Sequence, residues 1–365
     1  MQAIIHKLKL PDTGRIIAIS DVHGNLPYLR GLLAKLALRD EDTLVFCGDI
    51  LEKGRYSLET LRYIMRLTQE RRVMTVLGNC DFWQDAIYRP TPGSDEYCKR
   101  YLLADSAGWG PGLLAQMCQE AGFVMGRGTD MGEFRRVLGA AFEPEFRFLE
   151  GLPHVIETEH YIFVHGGLPE GAPEDWDGWK CMKNDDFLGQ GRSFDKWVIV
   201  GHWPVMLYGK DTVCANPIIE RQRKIISIDG GCVLKDDGQL NALIIPHNGS
   251  EDFEVEHYDP FPVRRVKSAQ KGSEKSIYIR WGDNVVRILE RGREFSRCVH
   301  VRTGYELDVL TKYLYGESGE VRCNDCTDYV LPLEAGDEVS VVETTSRGYF
   351  VKHNGVSGWY GGELL

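Results

Sequence analysis

Six short apolar runs, each ending in a polar or glycine-rich turn, constrain this chain more than any other feature. Residues 15–20 lead into Asp21-Val22-His23-Gly24, 43–47 into Gly48-Asp49, and 73–77 into Gly78-Asn79. Residues 161–164 lead into His165-Gly166-Gly167, 197–200 into Gly201-His202, and 225–228 into Asp229-Gly230-Gly231. Continuous apolar runs of this length read as strands buried on both faces. Helical patterns separate the first three. One covers 26–38, with Pro27 suited to a first turn and Leu29, Leu32, Leu33 and Leu36 on one face. The other covers 57–70, with Ser57 as the expected N-cap and Leu58, Leu61, Ile64 and Met65 as its stripe. Strand–helix alternation means an α/β domain. Ligands of such sheets bind beyond the carboxyl ends of the strands, so six polar strand ends predict one shared site.

At 365 residues the chain is too long for one core. Residues 1–250 are expected to hold the α/β domain, with 82–150 a helical, cap-like insertion. A polar stretch, 251–275, reads as a linker. Residues 276–365 read as all-β. There, 277–281 and 285–289 flank Gly282-Asp283-Asn284, a hairpin signal. The strands and tight turns at about 320–365 resemble a bacterial Src-homology-3-like barrel. That resemblance implies a groove for a peptide partner, which Tyr329, Tyr349, Trp359 and Tyr360 would supply; an intramolecular lid is the other reading. Ile288-Leu289-Glu290, His300 and Thr303-Gly304 echo Val341-Val342-Glu343, His353 and Ser357-Gly358. The echo fits either tandem barrel-like repeats or one barrel plus a hairpin.

Lys+Arg 43 against Asp+Glu 54 gives a net charge of −11, with no general footprint for nucleic acid or anionic membrane. Neither partner is expected. No apolar run reaches the roughly 18 residues of a membrane span, and the N-terminal stretch lacks a secretory pattern. A cytoplasmic location is expected. Ten scattered cysteines read as reduced thiols. For Cys323-Asn324-Asp325-Cys326 three readings stand: zinc with Cys298 and His300, a redox pair, or unrelated thiols.

Asp21, His23, Asp49, Asn79, His165 and His202 all fall at strand ends. Carboxylate and neutral imidazole together suit Mn, Fe or Zn. Two carboxylates, an amide and three imidazoles are too many for one tetrahedral ion. The set therefore reads as two divalent ions sharing a bridging carboxylate.

Taken in order, Asp21-Val22-His23-Gly24-Asn25, Gly48-Asp49, Gly78-Asn79, Val164-His165-Gly166-Gly167 and Gly201-His202 resemble the blocks of the calcineurin-like metallophosphoesterase superfamily. The segment from Gly48 to Thr60, and Phe148-Leu149-Glu150-Gly151-Leu152-Pro153, bring the chain nearest the phosphoprotein phosphatase branch. The resemblance covers about residues 14–246. It implies a sandwich of central β-sheets flanked by helices. It also implies Asp21 and His23 on the first metal, Asp49 bridging, and Asn79, His165 and His202 on the second.

Two departures from the family pattern stand out. The family's Asp-Arg-Gly is Glu52-Lys53-Gly54 here, so a bidentate fork becomes a point charge. The family's Asn-His-Glu is Asn79-Cys80-Asp81, so the histidine that assists the leaving group is missing. Cys80 reads as a weak acid or as packing. The catalytic candidates are Asp49, Lys53, Cys80 and Asp81; the substrate-binding candidates are Lys53, Arg55, Asn79 and Arg192. Trp176, Trp179 and Trp203 read as walls of a cleft or as core. The resemblance implies hydrolysis of phosphate monoesters, phosphoproteins included, by a hydroxide activated between two metals. Phosphodiester or dinucleoside-polyphosphate hydrolysis is the alternative, and a catalytically weak metal-binding scaffold acting through the C-terminal barrel is a third.

Overall fold

The structure is a computed structural model describing residues 1–104, 110–316 and 320–365. By proximity these residues divide into two units. The first holds 1–204, 217–234 and 238–259; the second holds 205–216, 235–237 and 260–365.

The chain begins with β1 (Ile5–Lys7), β2 (Ile16–Ile19), α1 (Leu26–Leu36), β3 (Thr43–Phe46), α2 (Ser57–Glu70) and β4 (Val73–Thr75). Five helices follow: α3 (Gln84–Tyr88), α4 (Pro92–Leu103), α5 (Leu113–Ala121), α6 (Met131–Ala141) and α7 (Glu143–Glu150). Next come β5 (Val155–Glu157), β6 (Tyr161–Val164), α8 (Gly178–Met182), β7 (Trp197–Val200) and β8 (Val213–Cys214). The series ends with β9 (Ile218–Glu220), β10 (Ile225–Ser227), β11 (Leu240–Ile245) and β12 (Glu254–Tyr258). All six apolar runs are strands, shared between two sheets. One sheet has the order β12-β11-β2-β3-β4, the other β1-β5-β6-β7-β10-β9. The trios β2–β3–β4 and β6–β7–β10 are parallel inside them.

Alternation along the strands explains the layers. Ile16, Ala18 and Val45 pack with Tyr161, Phe163, Ile199 and Ile226 from the other sheet, forming the core between them. Ile17, Ile19, Leu44 and Phe46 face the opposite way, onto the leucines of α1 and α2. Neither helix has a side-chain hydrogen bond at its N-cap. A missing cap costs about 1 kcal/mol, whereas each fully buried Leu contributes about 1.5–3 kcal/mol. The buried stripes of Leu26, Leu29, Leu32, Leu33 and Leu36, and of Leu58, Leu61, Ile64 and Leu67, therefore decide the matter. Ser57 is not the cap: it is buried, and its Oγ accepts the Glu52 N–H at 3.0 Å.

The described residues of 82–150 are largely helical, and Leu113, Met117, Phe134, Phe142 and Phe146 join the α1/α2 core. Arg62 on α2 donates to Glu120 on α5 and to Glu145 on α7.

The second unit contains β8 and then β13 (Val263–Arg265), β14 (Tyr278–Ile279), β15 (Val285–Glu290), β16 (Phe295–His300) and β17 (Glu306–Leu310). After these come β18 (Leu314–Tyr315), β19 (Val321–Cys323), β20 (Cys326–Thr327), β21 (Glu338–Thr345), β22 (Gly348–His353) and β23 (Val356–Tyr360). Two five-stranded antiparallel sheets result, β17-β16-β15-β19-β18 and β13-β21-β22-β23-β8. Each has its own apolar cluster.

The internal echo is structural. Ile288 pairs with Cys298 and Val341 with Val351; Glu290 pairs with Arg297 and Glu343 with Phe350. In both pairs of strands the register shifts at the same place, across Leu289 and Val342.

Three expectations change here. The stretch 251–275 is not structureless, since β12 pairs with β11 and β13 with β21. Residues 277–281 and 285–289 do not form a hairpin. β14 pairs with β20, while β15 pairs with β16 and β19. Tyr278 goes instead to a cluster with Met206, Val213 and Ala215. Tyr360 does not line a groove: it is 1% exposed in the sheet core, its hydroxyl donating to Ser268 O at 2.9 Å. Trp359 donates to Thr327 O and packs on Phe295 and Phe350.

No helix among the described residues is long and apolar enough to cross a membrane. Both ring nitrogens of His300 are within hydrogen-bond distance of protein oxygens, Thr303 Oγ1 and Asp283 O. Cys323 and Cys326 lie with their sulfurs 3.9 Å apart.

Candidate metal centre

The turns that follow the six parallel strands converge at one end of the two sheets. Asp21 and His23 follow β2, Asp49 follows β3 and Asn79 follows β4. His165 follows β6, His202 follows β7 and Asp229 follows β10. Close approach of these turns needs glycine. A Cβ on Gly78 would lie 2.1 Å from Asp49 N, and one on Gly48 would lie 2.8 Å from the His165 side chain. Asp21, His23, Asp49 and His202 all have positive φ, as do Glu52 and Lys53. Non-glycine residues rarely adopt this conformation; it costs on the order of 1–3 kcal/mol and clusters at functional sites.

Backbone partners orient the ligands. His23 Nδ1 sits 3.2 Å from Leu51 O, and His165 Nδ1 sits 2.8 Å from Cys47 O. An Nδ1–H donated to a carbonyl leaves the Nε2 lone pair free and fixes the ring. Asp49 Oδ1 accepts the Cys80 N–H at 2.8 Å. Asp21 accepts from the Ser20 hydroxyl and, at 3.0 Å, from the His202 N–H.

The remaining donor atoms face each other across the site. His165 Nε2 is 3.2 Å from Asp49 Oδ1, and His23 Nε2 is 3.6 Å from Asp21 Oδ1 and 3.9 Å from Asp49 Oδ2. Asp21 Oδ1, His23 Nε2, Asn79 Oδ1 and His165 Nε2 are buried with no hydrogen-bond partner. Leaving four such groups unsatisfied would cost about 1–3 kcal/mol each, so their convergence fits cations. Donor atoms of His23, Asp49 and Cys80 lie within 4.8 Å of one another, as do those of Asp49, His165 and His202. Asp49 belongs to both groups, as a bridging ligand must. The donor set therefore fits two divalent ions.

Electrostatics support the same reading. Burial raises the Asp21 carboxyl to about 6, and burial with the Lys53 ammonium lowers His23 to about 3. Burial and His165 lower His202 to about 4. For His165, burial alone would act downward; Asp49 and Asp21 outweigh it and hold the ring at about 10. Burial would raise Asp49, but His165 and His23 hold it well below the usual carboxylate range. Neutral His23 and His202 are ready to bind metal; His165 must release its proton to do so.

The other candidates divide. Lys53 is half-buried; burial acts to lower its pKa, but Cys80, Asp49, Asp21 and Asp229 raise it above its ordinary value, so it stays charged beside the cluster. Arg55 is exposed. Burial and Asp49 push the Cys80 thiol well up, so it is a poor acid, and its sulfur instead lies among possible ligands. Asp81 is buried, its two oxygens accept the Leu51 and Gly78 N–H groups at 3.0 and 3.1 Å, and burial and Asp49 raise its carboxyl to about 7.

Arg192 is engaged elsewhere in this structure. It donates to the backbone carbonyls of Leu168 and Pro169 and lies over Phe187 and Phe194. Trp176 is buried and donates to Gly171 O, Trp179 is exposed against Phe82, and Trp203 is half-buried.

One residue beside the site escaped sequence reasoning. Asp185 lies 2.7 Å from His202 Nε2, a contact no spacing announces. Asp229 is visible in sequence as a strand end. Its buried Oδ2 has no partner, and burial and Asp21 hold its carboxyl well above the usual range.

A family model described as calcineurin-like phosphoesterase matches residues 14–225. A Hamiltonella defensa protein named symmetrical bis(5'-nucleosyl)-tetraphosphatase is 42% identical over 71 residues, 19% of this chain and 25% of that one. A Methylococcus capsulatus protein of the same name is 31% identical over 156 residues, 42% of this chain and 43% of that one. The chain thus matches a quarter to less than half of the length of these curated relatives.

Among solved structures, a Saccharomyces cerevisiae protein serine/threonine phosphatase aligns at 13% identity and a TM-score of 0.41, covering 71% of this chain and 84% of that one. A Sphaerobacter thermophilus metallophosphoesterase aligns at 17% identity and a TM-score of 0.38, covering 68% and 89%. The chain belongs to the calcineurin-like phosphoesterase family, whose members are metal-dependent hydrolases of phosphoesters.

Proposed function

We propose that this calcineurin-like phosphoesterase hydrolyses phosphoric compounds whose leaving group departs as a stable anion, dinucleoside polyphosphates foremost. The observation that carries this reading is the missing general acid. In the turn after β4, Cys80 stands where the family pattern has its leaving-group histidine, and Asp81 accepts two backbone N–H groups. An alkoxide leaving group such as that of phosphoserine needs a proton; a nucleoside polyphosphate or an aryl oxide does not. The name shared by the curated relatives fits the same class. This moves weight from phosphate monoesters and phosphoproteins to the alternative noted in sequence.

Asp21 and His23 would hold one divalent ion, His165, His202 and Asn79 the second, with Asp49 between them; Mn is the best fit. When bound, the ions would acidify water and neutralise phosphoryl charge. The chain's own residues do the rest. The Leu51 and Cys47 carbonyls fix the tautomers of His23 and His165. The His202 N–H and the Ser20 hydroxyl hold the Asp21 carboxylate in place. Lys53, charged and half-buried, offers a point charge to a phosphoryl oxygen.

The test compares four substrates on metal-free enzyme titrated with Mn²⁺, with Asp49→Asn as control. They are a symmetric dinucleoside tetraphosphate, an aryl phosphate monoester, its matching diester and a phosphoserine peptide. The tetraphosphate and the aryl monoester should turn over fastest. A phosphoserine peptide cleaved as fast as the tetraphosphate would refute the leaving-group argument. No turnover with two ions bound would favour a scaffold acting through residues 276–365.

A further inference from the structure

We infer that Glu52 and Tyr101 are positioning residues, through which the helical insertion holds the Glu52–Lys53–Gly54 turn and so aims Lys53 at the phosphoryl group. Glu52 and Lys53 are consecutive non-glycine residues with φ of +68° and +63°. Such a turn persists only when its surroundings over-determine it. Here they do so from two sides.

From the α/β core, Ser57 Oγ accepts the Glu52 N–H at 3.0 Å. From the insertion come three contacts. The Tyr101 hydroxyl on α4 donates to Glu52 Oε2. The Leu113 N–H at the start of α5 donates to Glu52 Oε1 at 2.8 Å. The Gly110 N–H donates to Lys53 O at 3.0 Å. The approach is close: a Cβ on Gly110 would lie 2.6 Å from Gly54 O.

Glu52 is 7% exposed, and both its carboxylate oxygens are bonded to the insertion. Tyr101 is itself packed against Trp83, with ring centroids 4.7 Å apart. The acid beside Lys53 is therefore bonded to the insertion and serves as an anchor. Specificity follows, because two helices of the insertion set where the one cation of this turn can reach.

The inference rests on the reading of Lys53 as a phosphate contact, so the probe is binding rather than turnover. Inorganic phosphate is titrated calorimetrically into the Mn-loaded full chain. The proteins compared are wild type, Lys53→Ala, Glu52→Gln, Tyr101→Phe and Tyr101→Phe/Lys53→Ala, with metal content measured for each. Lys53→Ala should weaken phosphate by about tenfold or more, the worth of a charge-assisted hydrogen bond. Glu52→Gln and Tyr101→Phe should weaken it by about threefold or more, with metal content unchanged, and the double variant should be no worse than Lys53→Ala.

Additive losses in the double variant, or unchanged affinity in both Glu52→Gln and Tyr101→Phe, would overturn the inference. Tyr101→Phe removes one hydroxyl and should fold even where Glu52→Gln does not. Unchanged affinity in Lys53→Ala alone would overturn the premise, and the inference with it.

Discussion

Asp49 is shared by both groups of donors, so neutralising it strips a ligand from each. Asp49→Asn should lower metal affinity by more than about 100-fold, beyond the usual cost of losing an outer-shell partner. Metal content after dialysis, with turnover of an aryl phosphate alongside, checks this; two retained ions and full turnover would refute the bridging role. Cys80 is the opposite case. Loss of a true general acid costs about 100-fold or more, whereas Cys80→Ala should cost less than about tenfold, because the histidine that would serve as that acid is already absent. A steady-state rate on a poor leaving group decides between the two. The six candidate ligands were legible because each stands at the end of an apolar run. The contact of Asp185 with His202 was not, since it joins two loops whose meeting no local pattern encodes.

At the scale of elements, the parallel strands were legible for a simple reason. A strand covered on both faces has to be apolar throughout, and few other structures need that. The turns between them are as demanding. Gly78→Ala would drive a Cβ to 2.1 Å from Asp49 N and 2.3 Å from Asp49 Oδ1. We expect that variant to fold less stably by about 2 kcal/mol or more, and to lose metal. A melting curve and a metal assay would expose the error if it behaves as wild type. Phe134 in α6 is fully buried, with its ring 5.8 Å from that of Phe123. Phe134→Ala should cost about 3–5 kcal/mol in urea unfolding; a loss under about 1 kcal/mol would mean that the insertion packs loosely. Where sequence reading failed, as in the supposed hairpin at 277–289, pairing was settled at long range. The partner of β14 is β20, whose contribution is not visible near residue 280.

At the scale of the molecule, the second unit is not a separable tail. It includes residues 205–216 and 235–237 from the middle of the chain. β8 pairs with β23, and Met206, Val213 and Ala215 are buried with Tyr278. Lys235 pairs with Asp325. A chain cut after residue 259 should therefore expose that apolar surface and aggregate or melt without cooperativity. A soluble fragment with a sharp transition would contradict this. Metal should act on the whole as a ligand of the folded state. At a free ion concentration of 100 Kd it should add about 2.7 kcal/mol, a gain that chelator removes. Calorimetric scans with and without Mn²⁺ measure this, and an unchanged Tm would show that the ions do not bind the folded chain.

What the amino-acid order determined by itself is local. Apolar runs without alternation had to be buried strands, leucines three and four apart had to be helices, and acids, imidazoles and an amide placed at strand ends had to meet where parallel strands finish. What only the tertiary structure decided is which neighbours each polar group finds. It put Asp81 and Arg192 onto backbone atoms, left one oxygen of Asp229 without a partner and turned Glu52 towards the insertion. The physical reason is that burial and periodicity act over a few residues and leave a mark in sequence. A hydrogen bond or ion pair between distant loops depends on the closure of the whole chain, and any of several polar residues can make it.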